Sequence, residues 1–343
     1  KELMTNRRKF IQKGLLTAGA TALSSNWTYA KDDGPDYFTL AVLPDTQNYS
    51  YRYPDVYTSQ TRWLKENAQK YRIPFVCHEG DIVQFNDVVE WERAVVSHKE
   101  LDGNLPYGLN VGNHDFNWTW VNGKRGKMVR DTCRIDQFFP PSKYEKESWW
   151  GGCFENRNHN SYQYFEGPGG LKFLVLNIEF APRDVALDWG ATVIEKHPDH
   201  RIIVVTHAYM DNDDTRIGEG DKGVKLYFPD DNDGDSMWEK FVRKHKNIFL
   251  VMSGHVCRDS RNNWKFDTSY TETGLLTSKG DHGNEVHQIL ADYQSRPNGG
   301  DGFLRLMRFT PENNEIEVKT YSPFKDEWLI AWHNQFTLPY SMT

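Results

Sequence analysis

Residues 37–47 read YFTLAVLPDTQ: a run of strand-forming character that ends at once on Asp45 and Gln47, two oxygen donors separated by one residue. The run is continuous rather than alternating, the pattern of a strand covered on both faces. A turn would explain Asp45 alone. A cation held at the end of the strand would explain both side chains.

The rest of the chain repeats the arrangement. IPFVC (73–77), YGLNV (107–111), LKFLVLNI (171–178), RIIVVT (201–206) and NIFLVMS (247–253) are apolar runs of strand length. Helical patterns lie between several of them: TSQTRWLKENAQKY (58–71), VVEWERAVVSHKE (88–100) and SMWEKFVRKH (236–245). In the last, Met237, Trp238, Phe241 and Val242 share one face and Ser236 stands at the capping position. Strands alternating with helices predict βαβ units in an α/β fold. The tail differs. FLRLMRFTPENNEIEVKTYSP (303–323) reads as two alternating strands around a turn, an antiparallel hairpin. Residues 116–160, rich in Trp, Asn, Gly and Arg, read as one long ordered loop. No repeat or linker interrupts the sequence, so residues 31–343 are expected to form a single domain with a C-terminal antiparallel hairpin.

Each early strand finishes in polar residues. Asp45 and Gln47 follow the first, His78-Glu79-Gly80-Asp81 the second and Gly112-Asn113-His114-Asp115 the third. His207 follows RIIVVT, and Ser253-Gly254-His255-Val256-Cys257 closes the run at 247–252. In open α/β sheets, ligands sit beyond the carboxyl ends of the strands. Asp45, Gln47, Asp81, Asn113, His207, His255 and Cys257 would therefore meet in one neighbourhood, a donor set suited to divalent transition metals. Glycine precedes Asp81, Asn113 and His255, allowing close approach of the backbone. The acidic stretch PDDNDGDS (229–236) lacks the EF-hand spacing and reads as a solvated helix-start turn.

At these motifs the chain resembles the calcineurin-like metallophosphoesterases. Asp-x-Gln, GDIV, GNHD, THAY and GHVC occur in that order, and Gln47, with the later LADYQ and TYSP segments, points to a branch with Gln in the first motif. The resemblance implies two facing mixed β-sheets flanked by helices, a four-layer α/β/β/α sandwich. It implies two divalent ions, Zn, Mn or Fe, with Asp81 bridging them. Asp45, Gln47 and Cys257 would complete one shell, and Asn113, His207 and His255 the other. The implied activity is hydrolysis of a phosphomonoester or phosphodiester by metal-activated hydroxide. His114 would act as general acid, its ring oriented by Asp115. Gln47 and Cys257 both stand where the common pattern has His, and both fall on the same ion. The competing reading is a catalytically silent metal-containing binding protein with a degraded first site.

Residues 1–30 resemble a twin-arginine export signal. Arg7-Arg8 and Phe10 precede the mildly apolar LLTAGATAL, and Thr28-Tyr29-Ala30 would offer a cleavage site. The mature protein is then expected in the periplasm or secreted. Those thirty residues hold five of the 41 Lys and Arg and one of the 48 Asp and Glu, so removing them takes the formal charge from −7 to −11. Such a surface repels nucleic acid. No other segment is apolar for the roughly 20 residues a membrane span requires. The expected partner is a small-molecule or glycan-linked phosphate ester. Trp118, Trp120, Trp149 and Trp150 are candidates for a stacking wall around its leaving group. Of the four cysteines, Cys77 reads as a small buried thiol. Cys133 and Cys153 flank a loop-rich region, where a disulfide would contribute about 3 kcal/mol.

Overall fold

The structure, a computed structural model, describes residues 36–221, 223–257 and 272–342. The export signal expected over residues 1–30 lies outside them, and the described residues belong to one compact unit, Asp36–Thr343.

The chain opens with β1 (Phe38–Leu43), α1 (Gln47–Arg52), α2 (Pro54–Tyr71), β2 (Val76–His78), α3 (Val88–His98) and β3 (Tyr107–Gly108). There follow β4 (Asn117–Val121), β5 (Lys124–Val129), α4 (Ile135–Phe138), β6 (Trp150–Phe154), β7 (Arg157–Gly167), β8 (Leu171–Ile178), α5 (Asp184–Lys196) and β9 (Arg201–Thr206). The last part holds α6 (Gly234–Lys240), β10 (Ile248–Ser253), β11 (Thr273–Lys279), β12 (Glu285–Ala291), β13 (Leu304–Thr310), β14 (Glu315–Ser322), β15 (Glu327–Leu329) and β16 (Gln335–Pro339).

Two mixed sheets of seven strands result. One runs β15-β14-β13-β1-β2-β3, with β16 paired to β14; the other runs β11-β12-β10-β9-β8-β7-β6. β1, β2 and β3 are parallel, as are β8, β9, β10 and β12. Their carboxyl ends therefore converge on one edge of the fold. Alternate side chains of β1 and β8 separate the layers. Phe38, Leu40 and Val42 meet Phe173, Val175, Ile203 and Val205 in a core between the sheets, where Phe38 stacks on Phe309 at 4.6 Å and touches Phe173 at 5.2 Å. On the other face of β8 and β9, Leu174, Leu176, Ile202 and Val204 pack under Leu187, Ile194, Met237 and Trp238 of α5 and α6. Helix α2 packs on β1 and α3 lies against α2, its His98 ring meeting Tyr107 of β3, completing the expected four layers. Among the described residues no helix is long and apolar enough to cross a membrane.

Several local expectations are corrected. β3 is two residues long rather than five, because Leu109–Val111 leave the sheet to deliver Asn113. The supposed loop 116–160 contains the separate two-stranded sheet β4-β5, α4, β6 and the start of β7. β7 gives no apolar signal because it buries Asn158, His159, Asn160, Ser161 and Gln163. Internal partners satisfy several of their polar atoms, for example Gln163 with Asn177 and Ser161, while Asn158 Oδ1 is left without one. The cap of α6 is Asp233, whose carboxylate accepts the Ser236 N–H; Ser236 lies inside the helix. Asn232 and Asp233 are buried rather than solvated. Cys133 and Cys153 are free thiols. In the C-terminal part β13 pairs β14 antiparallel.

Candidate metal centre

β1 delivers Asp45 and Gln47 and β2 delivers Asp81. The turn after β3 delivers Asn113 and His114, β9 delivers His207, and β10 delivers His255. Asp45, Asp81 and His207 are buried and offer ligand atoms within 4.8 Å of one another. Close backbone approach is literal here. A Cβ at Gly112 would lie 2.1 Å from Asp81 Oδ1, and one at Gly254 would lie 2.2 Å from Asp45 Oδ2. Asp81 itself sits at φ +49°, the left-handed region that Asp tolerates better than most residues.

The His207 Nδ1–H donates to the Glu79 carbonyl at 2.9 Å, which turns Nε2 toward the centre. Around that Nε2 lie Asp81 Oδ2 at 3.2 Å, Asn113 Oδ1 at 3.1 Å and His255 Nδ1 at 3.2 Å. With the proton of the neutral ring on Nδ1, Nε2 brings a lone pair to all three contacts. Asp45 Oδ1, 3.4 Å from His207 Nδ1, and Gln47 Oε1 are buried without a hydrogen-bond partner. Converging lone pairs that lack protons are what a cation satisfies, so the residues present fit a metal.

Charge follows the same geometry. Burial pushes the Asp45 carboxyl well above its ordinary range, and Asp292, Asp81 and Glu79 add to the effect. Burial acts upward on Asp81 as well, but His207 and His114 outweigh it and hold the carboxyl at about 2. His207 is raised, burial opposing and Asp81 prevailing, while burial and the neighbouring His207 lower His255 to about 3.

The structure places the remaining site residues differently from one another. The His114 Nδ1–H donates to the Gln84 carbonyl at 2.8 Å, leaving Nε2 as the ring's other nitrogen. Asp115 does not orient that ring. Its carboxylate accepts the backbone N–H groups of Ile82, Val83 and Gly112 at 3.2, 2.9 and 2.8 Å, tying the Asp81 turn to the Asn113 turn. Cys257 is absent from the three-donor cluster, and its thiol bonds to Asp292 and Ser295. Asp292 and Gln294 were missed as site residues. Asp292 follows the end of parallel β12, so the strand-end rule that found the others points to it as well.

A cleft of about 600 Å³ opens beside His114, lined by Gln84, Phe85, Phe116, Asn117, Trp118 and Trp120. Trp149 and Trp150 instead pack on Tyr144, and Trp149 lines a different cleft, with Tyr107.

Burial raises Asp292 to about 7 from an ordinary 3.8. Asp292 and Asp45 thus hold protons in the folded, metal-free chain that the unfolded chain has already released. His78 and His255, lowered by burial, act in the opposite sense only below their ordinary 6.5. Stability of the chelator-treated protein should therefore fall as pH rises from about 6.5 to about 8. Melting temperatures at those two pH values check this, and a divalent ion should abolish the fall.

Two facing sheets whose parallel strands end at one buried Asp/Asp/His centre define a metallophosphatase-like protein. The sequence matches the calcineurin-like phosphoesterase family over residues 38–259, and the chain belongs to that family. It is also 31% identical over 293 residues to YvnB of Bacillus subtilis (strain 168), an uncharacterised protein. That match takes in 84% of this chain but 20% of YvnB, so the chain spans a fifth of the length of the curated relative it matches. Among solved structures, a dimetal phosphatase from Danio rerio has a similar fold, with TM-score 0.52 at 14% identity over 90% of this chain and 100% of that one. GAP50, the anchor in the inner membrane complex of Plasmodium, covers 90% of both chains at 13% identity with TM-score 0.48. The likeness to the dimetal phosphatase is of fold alone.

Proposed function

We propose that the protein is an exported phosphoesterase that uses two divalent ions to hydrolyse a small-molecule or glycan-linked phosphate mono- or diester. The observation that carries this reading is the set of proton-less lone pairs around His207 Nε2, next to a cleft that holds His114. Asp45, Gln47 and Asp81 would hold one ion, and Asp81, Asn113, His207 and His255 the other; Zn, Mn and Fe all suit these donors. Such ions, when bound, supply Lewis-acid charge and a water acidified to react near neutral pH. The protein's own groups do the rest. The Gln84 carbonyl keeps one proton on His114 Nδ1, so the proton available to the leaving oxygen is a second one, carried on Nε2 in the imidazolium form. Asp81 holds the backbone of the acid in place, its Oδ1 accepting the His114 N–H at 2.8 Å. Phe85 and Trp120, 58% and 70% exposed, are not spent on core packing and offer faces to a flat leaving group. Export to the periplasm or beyond rests on the Arg7-Arg8 segment.

A second reading, the silent metal-binding protein, draws on Cys257 facing Asp292 rather than the three-donor cluster. Metal analysis of protein purified without chelator, with turnover of aryl and alkyl phosphate esters under added Mn, Zn or Fe, separates the two. Turnover that chelation abolishes and metal restores is expected. Trp120→Ala should raise KM for aryl esters roughly three- to tenfold, the value of one aromatic contact, and leave methyl esters unchanged. Less than one ion per chain with no turnover of any ester would favour the silent protein.

A further inference from the structure

Gln47 raises a difficulty that a histidine would not. An amide has one end that attracts a cation and one that repels it, and the two have almost the same shape. Something must decide which end faces the centre.

The neighbouring hydrogen bonds make that decision. Asp292, fully buried after β12, accepts the backbone N–H of Gln294 at 2.9 Å through Oδ1 and its side-chain Nε2–H at 2.8 Å through Oδ2. Ionised Asp292 can only accept, so with its NH2 group turned to that carboxylate Gln294 has its Oε1 left to present to Gln47. Gln47 answers with its own NH2, donating to Gln294 Oε1. The carbonyl of Gln47 is thereby turned the other way, and its Oε1 is buried with no protein partner. Asn48 Nδ2 donates to the Gln294 backbone carbonyl at 3.2 Å, securing the pair to the start of α1. Reversing either amide would set two carbonyls or two NH2 groups against each other in a half-buried site.

We propose that Gln294, anchored by Asp292, is a positioning residue that sets the polarity of Gln47 so that its carbonyl oxygen serves as a metal ligand. The inference rests on the metal-centre reading above. It makes the amide ligand depend on a directional relay, carboxylate to amide to amide, that runs from the end of β12 to the end of β1. Groups behind a ligand that fix its orientation typically matter roughly 10–100-fold in metal affinity.

The test is a double-mutant cycle of Gln47→Ala and Gln294→Met, read as Mn2+ affinity by competition with a chromophoric chelator. Gln294→Met alone should weaken the affected site roughly 10–100-fold. In the Gln47→Ala background the same change should have no further effect, because the carbonyl it aims is gone. Equal losses in both backgrounds, or no loss from Gln294→Met, would overturn the relay while leaving the metal centre standing. A parent protein that binds no Mn2+ would overturn both. The parent protein supplies a check that needs no variant. On titration with Zn2+, the NMR signal of the Gln47 side-chain carbonyl carbon should move while its NH2 protons stay protected from exchange. Deprotected NH2 protons with an unmoved carbonyl would sink the proposal.

Discussion

Asp81→Asn is expected to lower turnover by about a thousandfold, the several kcal/mol that a correctly held divalent ion contributes to a phosphoryl transition state. The substitution is chosen to spare the fold. Asn tolerates φ +49° as Asp does, and its carbonyl still accepts the His114 N–H. What it removes is the negative charge that His207 and His114 hold ionised at about 2. The metal content of the purified variant should drop in parallel with kcat, with an unchanged far-ultraviolet circular dichroism spectrum. Turnover within tenfold of the parent would remove Asp81 from the role of shared ligand.

His114→Ala separates acid catalysis from metal binding. Its backbone N–H to Asp81 survives the change, so metal content should be preserved. Loss of a positioned general acid costs roughly 10²–10⁴-fold when the leaving alkoxide is basic, and little when it is an activated phenolate. A plot of log kcat against leaving-group pKa should therefore be steeper for the variant. Equal losses across the series would mean that the ring serves another purpose, such as holding the phosphoryl oxygens.

The convergence of these side chains was legible because it follows one rule applied several times. Continuous apolar runs announced parallel strands, and each stopped on a donor: Asp45, Asp81, Asn113, His207, His255. The same rule extends to β12, where Ile289, Leu290 and Ala291 run into Asp292, the anchor of the Gln294 relay. The failures have a different origin. β7 is a strand whose inward face is polar, and only tertiary partners such as Asn177 and Glu179 show that Gln163 and Asn160 can be buried. Asp115 was assigned to the ring beside it because the two are adjacent in sequence. Its three backbone partners come from Ile82, Val83 and Gly112, and no local pattern displays them. Cys257 stood at a ligand position in the motif, yet its thiol turns toward Asp292 and Ser295. Likewise, of four tryptophans near one another in sequence, only Trp118 and Trp120 reach the cleft, because β4 carries them there while β6 draws Trp150 into the second sheet.

The ribbon formed by β4 and β5 is hydrogen-bonded to neither large sheet. Its outer turn can lengthen, shorten or change composition without moving a ligand-bearing strand, and Trp120 rides on it next to His114. Under the proposed function, selectivity for the departing group and competence for the chemistry would thus rest on separate sheets. Transplanting this ribbon between related proteins should exchange preference while leaving the catalytic floor intact.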